Sequence, residues 1–255
     1  MNMLPLSLKL KHMLLIGITL SFFVMSVARA EEVQIRNNSE DPKKSDVCSS
    51  SKDVLGVSRT IEIDTTNGPT LGSHLNKEEN FLNDKEVILT FDDGPSRKYT
   101  ETILDTLDAQ CTKATFFIIG KSALLEPRIV QEIDMRGHTI AAHTWSHKRL
   151  DKIAYKKAKY EIELGFSAIE RALGKPPSSL FRFPYLAESD ELRKYLSGRN
   201  YSNTRINIDS RDFLTKNPSV VRKNVIKQLK SEHRGIILFH DIQPSTASAL
   251  RSILN

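Results

Sequence analysis

The strongest constraint on the fold is a short apolar run, Val87-Ile88-Leu89, that stops in Thr90-Phe91-Asp92-Asp93-Gly94-Pro95. A run of this length closed by Gly-Pro reads as a buried strand delivering its last residues to one edge of a sheet. Two carboxylates therefore stand at a strand's C-terminal end. Neighbouring side chains of an extended strand point to opposite faces, so Asp92 and Asp93 share one site only if the backbone turns between them. Holding two like charges together also demands a cation or a basic partner.

From this strand onward, short apolar runs alternate with segments of helical period. The spacing predicts helices over about 99–109, 127–136 and 154–173, with strands at Ala114 to Ile119 and Thr139 to Ala142 between them. In the long helix Ala158, Ile162, Gly165, Ile169 and Leu173 form one stripe, and Gly174-Lys175-Pro176-Pro177 ends it. Later strands are expected at Leu180 to Phe183, over Ser202 to Ile208 as one unit, and at Gly235 to Phe239. Helices are expected at about 189–197, 218–230 and from Thr246 on. Strands that alternate with helices pair in parallel through right-handed crossovers. They predict an α/β fold closing as a distorted (β/α) barrel of seven strands, one unit short of the eightfold form. A leading strand is also expected at 57–63, where Val57, Arg59, Ile61 and Ile63 alternate with polar residues.

Polar residues fall at corresponding places in this pattern. Asp92 and Asp93, His143 and His147, Arg182, Asp209, and His240 with Asp241 all lie at or just past a predicted strand's C-terminal end. That is the edge where parallel βα architectures gather catalytic groups. In His143-Thr144-Trp145-Ser146-His147 the two imidazoles stand at i and i+4, a spacing that suits one divalent ion. With one carboxylate they would leave a coordination position open for water, the layout of a catalytic zinc site. Each motif alone has an ordinary reading, the acidic pair as a turn and the histidines as loop residues; their joint order is what points to chemistry.

Five stretches in this order resemble the polysaccharide deacetylase family, the carbohydrate esterases that share the nodulation-factor deacetylase homology domain. They are Thr90 to Gly94, His143 to His147, Arg182-Phe183-Pro184-Tyr185, Asp209-Ser210-Arg211-Asp212-Phe213 and Leu238-Phe239-His240. The resemblance implies removal of an acetyl group from an N-acetylated sugar, hydrolysis of a carbon–nitrogen bond that is not a peptide bond. It further implies that Asp93, His143 and His147 bind a divalent metal, zinc in the first place, with cobalt, nickel or manganese as alternatives. Asp92 is implied as general base held ionised by Arg182, and His240 as the acid that protonates the departing amine, oriented by Asp209. Tyr185 is implied to offer a backbone N–H to the oxyanion and Leu238 to line the acetyl methyl pocket. Trp145 either walls the sugar groove or packs beneath the histidine loop. Two residues depart from the family pattern at the groove: Leu186, where a glycine is common, and Phe213, where a tryptophan is usual.

The N-terminal 30 residues carry Lys9, Lys11 and His12, then an apolar stretch from Met13 to Val27, then Ala28-Arg29-Ala30. This is the plan of a secretory signal, and the expected address is the periplasm or the extracellular space, with cleavage after Ala30. Residues 31–54 read as a polar linker and 55–255 as the catalytic domain, its motifs within 85–241 and its C-terminus cut short. Cleavage would leave 34 basic against 31 acidic residues, about +3, which gives no case for nucleic acid as a partner. Cys48 and Cys111 are the only cysteines, and export allows a disulfide that sequence alone leaves undecided. The expected partner is an N-acetylated glycan, peptidoglycan or chitin-like, with no membrane span after cleavage. The alternatives are a glycan-binding envelope protein without turnover, or an O-deacetylase on the same centre.

Overall fold

The computed structural model describes Cys48, residues 54–72 and residues 81–255. The expected signal segment and most of the linker lie outside these residues. Among them, eight strands form one wholly parallel sheet: β1 (Thr70–Leu71), β2 (Val87–Asp92), β3 (Thr115–Ile118), β4 (Thr139–Ala142), β5 (Leu180–Phe181), β6 (Ser202–Thr204), β7 (Ile208–Asp209) and β8 (Gly235–His240). Their order is β1-β6-β5-β4-β3-β2-β8-β7. The sheet curls into a half-barrel, so the distorted (β/α) barrel is what the chain forms, with seven strands from Val87 on and β1 added.

Among the described residues, seven helices surround the sheet: α1 (Thr100–Ala109), α2 (Gly120–Leu125), α3 (Pro127–Met135), α4 (Tyr155–Leu173), α5 (Asp190–Gly198), α6 (Pro218–Glu232) and α7 (Pro244–Leu254). Six of them start within two residues of their predicted positions. α2 was not predicted, because a six-residue helix is too short to display a period. α4 ends as its sequence dictates, on Gly174 in the left-handed conformation at φ 81°. Its inward stripe, Ala158, Ile162, Ile169 and Ala172, joins a core that includes Phe91, Phe116, Phe181 and Phe239. None of the described helices is long and apolar enough to cross a membrane. Cys48 and Cys111 are joined as a disulfide.

Two strand expectations are corrected. Residues 57–63 form no strand; Ile61 and Ile63 are half-buried and, with Leu71 and Phe81, line a cavity of about 340 Å³ at the N-terminal mouth of the barrel. Of the four alternating residues only Ile61 and Ile63 face inward; Val57 and Arg59 are exposed. Ser202 to Ile208 is two strands. β6 pairs with β5 and β1, the Arg205 N–H then donates to Leu71 O, the Asn207 N–H donates to Ile236 O, and β7 pairs with β8. The segment breaks because it crosses from one side of the curled sheet to the other.

Register places the chemistry. Asp92 lies opposite His240 on β8 and Phe117 on β3, and Asp209 opposite Leu238. The loop after β4 is held from outside by α4: a Cβ on Gly165 would stand 2.6 Å from Thr144 C and 2.8 Å from Thr144 O. Only a glycine lets the helix backbone come this close to the loop that carries both histidines. Gly165→Ala is therefore expected to cost about 1–3 kcal/mol of stability, as overpacking does, and to lower metal affinity. Gly198→Ala, whose Cβ would meet nothing within 4 Å, should do neither. Denaturant unfolding and metal titration of both variants provide the comparison.

Candidate active site

At the end of β2 the backbone turns. Asp93 has φ 78° and its N–H donates to Phe117 O at 3.2 Å, so its side chain swings to the same side as that of Asp92. This is the turn that two adjacent carboxylates in one site required. Asp93 Oδ1 lies 3.2 Å from His147 Nε2 and 3.5 Å from His143 Nε2, buried, with no hydrogen-bond partner.

His143 is buried, and its Nδ1 sits 2.8 Å from Arg182 O. A carbonyl only accepts, so Nδ1 carries the proton and Nε2 presents its lone pair toward Asp93. Burial lowers the pKa of His143 to about 3, against the pull of the Asp93 carboxylate, so the ring is neutral at physiological pH. His147 (φ 58°) is held by its N–H donating to Thr144 Oγ1 at 3.0 Å and by the Tyr185 ring at 4.6 Å. One ligand atom from each of Asp93, His143 and His147 lies within 4.8 Å of the others. An orphaned buried carboxylate oxygen facing two imidazole nitrogens is a donor set that fits a divalent metal ion.

The histidine loop has an anchor that sequence reasoning missed. Glu161 of α4 is 3% exposed, and its carboxylate accepts from Ser146 N–H at 2.9 Å and from Ser146 Oγ. Its backbone carbonyl also takes the Trp145 N–H at 2.8 Å. An acidic residue in the middle of an amphipathic stripe was the available signal. Trp145 itself is half-buried and is not among the residues lining the cleft, which corrects its expected place in the sugar groove. Its loop is pinned by α2 and α4, and Tyr185 and Leu186 stand at the cleft wall instead.

On one side of the three ligands, Asp92 Oδ1 accepts from Arg182 Nη1 at 2.6 Å. Arg182 is 0% exposed; it also donates to Thr90 Oγ1, Thr204 O and Arg205 O, and its guanidinium lies 4.0 Å from the centre of the Phe117 ring. Burial pushes the Asp92 carboxyl above the usual carboxylate range, and the Arg182 charge opposes that push. Since a guanidinium keeps its proton, the buried pair rests with Asp92 ionised.

On the other side, His240 Nδ1 lies 2.6 Å from Asp212 Oδ1, and the His240 N–H donates to Asp212 Oδ2 at 2.7 Å. Thr246 Oγ1 donates to the same oxygen. Burial acts to lower the imidazole's pKa, but the Asp212 hydrogen bond and the charges of Asp212, Asp92 and Asp93 outweigh it and raise the value to about 9. The expected partner, Asp209, is corrected to Asp212. Asp209 accepts the Arg211 N–H at 2.8 Å and lines the cleft, but β7 ends there and only the following 3₁₀ turn carries a carboxylate down to the imidazole. A third acid, Asp241, is buried against Gly94, accepts from Thr100 Oγ1 at 2.7 Å, and is pushed up to about 7 chiefly by burial.

These groups surround a cleft of about 320 Å³ whose apolar walls are Phe183, Tyr185, Leu186, Phe213 and Leu238. Tyr185 and Phe213 are 61% and 51% exposed at its rim, whereas Leu238 is buried at its floor. A carboxylate paired with arginine, an imidazole paired with aspartate, and three metal-type donors between them form a set that can in chemical terms support proton transfer at both ends of a polar bond.

The sequence profile of polysaccharide deacetylases matches residues 80–203. The chain is 31% identical over 170 residues to the peptidoglycan-N-acetylglucosamine deacetylase PgdA of Listeria monocytogenes, a match covering 67% of this chain and 35% of that protein. It thus spans about a third of that relative's length. A peptidoglycan-N-acetylglucosamine deacetylase of Bacillus cereus is 31% identical over 177 residues, 68% of this chain and 81% of that one. The structure of peptidoglycan deacetylase PdaC from Bacillus subtilis superposes with a TM-score of 0.61 at 30% identity, covering 68% of this chain and 82% of that one. With the fold, the motif order and the donor set in agreement, the chain belongs to the polysaccharide deacetylase family.

Proposed function

We propose that this chain is an exported, zinc-dependent hydrolase that removes N-acetyl groups from N-acetylglucosamine units of an envelope glycan, peptidoglycan before a chitin-like oligomer. The observation that carries the reading is the placement of Asp92 with Arg182 and His240 with Asp212 on either side of the Asp93, His143 and His147 donors. Similarity to relatives described as peptidoglycan deacetylases supports the substrate, and two imidazoles with one carboxylate support zinc. The export signal read in the sequence supports the address.

Asp93, His143 and His147 would hold the metal. When bound, such an ion lowers the pKa of water and polarises the amide oxygen. Asp92 takes the proton from the attacking water, and its raised proton affinity brings it closer to the operating pH than an exposed aspartate. His240, protonated at neutral pH through Asp212, gives a proton to the amine, which leaves poorly without one. Leu238 and Phe213 offer apolar surface to the acetyl methyl and the sugar, and the Tyr185 N–H is proposed to receive the oxyanion.

Three outcomes follow. The metal-loaded protein should release acetate from peptidoglycan or N-acetylglucosamine oligomers, and Asp92→Asn should lower turnover by roughly 10²–10⁴-fold with metal retained. Glycan binding without acetate in the wild type would replace this reading with a binding protein, and acetate only from O-acetylated polymer would make it an O-deacetylase.

His143→Ala and His147→Ala should each lose most bound metal by elemental analysis; full occupancy in both would refute the site.

The pH dependence assigns the acid. His240 must be protonated to act, so activity falls as pH rises through its pKa, at or below about 9 because a bound dication repels the imidazolium. Asp212→Asn removes the charge that raises this pKa and should move the alkaline limb to lower pH by on the order of one unit. Asp209→Asn should leave the limb in place. The opposite pattern in the two pH–rate profiles would restore Asp209 as the partner.

A further inference from the structure

One polar group on the cleft wall is left without a task. Asp92 is engaged by Arg182, Asp93 faces His143 and His147, and His240 is held by Asp212. Asp209 lines the same cleft, yet its carboxylate hydrogen-bonds to none of these groups. It stands at the end of β7, in register with Leu238 at the cleft floor. Whatever enters beside Leu238 meets this carboxylate.

The residue is also held firmly in place. The Asp209 N–H donates to Gln228 Oε1 at 3.0 Å, and Gln228 Nε2 donates to Asp209 O at 2.7 Å. β7 is the last strand of the sheet, so one side-chain amide of α6 pairs with its open edge as a further strand would. Asp209 Oδ1 then accepts the Arg211 N–H at 2.8 Å, an Asx turn that bends the chain through Arg211 at φ 54°. The second carboxylate oxygen remains. Among the described residues, Asp209 has no ion pair and its Oδ2 has no hydrogen-bond partner, and this oxygen is not among the sealed polar atoms of the interior.

A carboxylate oxygen only accepts, so a group that occupies it must bring a hydrogen. The N-acetylated sugar of the proposed reaction carries hydroxyls around its ring, and these are the donors it can turn toward a cleft wall. We propose that Asp209 is a substrate-binding residue whose second carboxylate oxygen accepts a hydroxyl of the sugar being deacetylated, so that the cleft selects a sugar on which this hydroxyl is unsubstituted. The inference rests on the glycan reading of the site. An ether at that hydroxyl removes the donor and leaves a desolvated carboxylate unpaired, and an ether that bears its own carboxylate adds repulsion. Asp209 thereby separates sugars whose acetamido groups are the same to Asp93, His143 and His147.

Asp209→Asn isolates this role. Its Oδ1 can still accept the Arg211 N–H, so the turn is kept, whereas an amide N–H donor replaces the acceptor that faces the cleft. With the metal-loaded full chain and a soluble N-acetylglucosamine oligomer, KM should rise about tenfold or more while kcat stays near the wild-type value, because the lost contact is made in ground and transition states alike. Oligomers that each lack one hydroxyl supply the second arm. One of them should be bound by wild type about as weakly as the intact oligomer is bound by Asp209→Asn, and should lose nothing further in that variant. This comparison decides the matter even if the variant is less stable. Calorimetric binding in an Asp92→Asn background, where turnover is slow, should show the same pattern. An unchanged KM in Asp209→Asn, or additive losses with every deoxy oligomer, overturns the proposal. The two readings fail separately: binding that weakens in Asp209→Asn without acetate from wild type refutes the hydrolase and upholds the contact, whereas acetate release with KM unmoved refutes the contact and upholds the hydrolase.

Discussion

The barrel is organised around one buried charge. A guanidinium carries five N–H donors and does not lose its proton, so placing Arg182 at 0% exposure obliges the surrounding strands to supply acceptors. β2 supplies Asp92 and Thr90, the end of β6 and the residue after it supply Thr204 O and Arg205 O, and β3 supplies the face of Phe117. The Arg182 carbonyl meanwhile fixes the proton on His143 Nδ1. One residue thereby sets the ionisation of Asp92 and the tautomer of His143. Removing one partner of such a buried pair costs on the order of 3–5 kcal/mol, because the other charge is left uncompensated. Stability and chemistry cannot be separated at this position.

Much of this was legible in the sequence because it is written locally. The strand at Val87, the helix ended by Gly174, and the polar residues past each strand end all follow from periodicity and punctuation within a few residues. What sequence hid was pairing at a distance. Residues 57–63 have a strand's alternation but no partner, and Ser202 to Ile208 divides because its two halves belong to opposite sides of the curled sheet. The pairing of Cys48 with Cys111, 63 residues apart, is likewise a property of the fold.

The site shows the same division. Asp92, Asp93, His143, His147, Arg182 and His240 come together where their strand ends predicted. Asp209 and Asp212 are both acids at the end of one strand, and only the 3₁₀ turn beginning at Asp212 decides which meets the imidazole. Glu161 gave only the signal of an acid within an apolar stripe, because it works from a helix, across the layer boundary, on a loop it does not adjoin in sequence. Trp145 was open between the sugar groove and the histidine loop, and its backbone bonds to α2 and α4 set it apart from the cleft.

Six residues around the cleft or its supporting loops, Asp93, Thr144, His147, Tyr185, Leu186 and Arg211, have φ between 54° and 78° without being glycine. A left-handed conformation costs an ordinary residue roughly 1–2 kcal/mol. The ligand geometry is thus encoded in backbone shape, maintained by the sheet and helices beneath, as much as in side-chain identity. Transplanting the same side chains onto another parallel barrel would not carry the centre with them. Within this lineage, loops could diversify only in step with the scaffold that holds them bent.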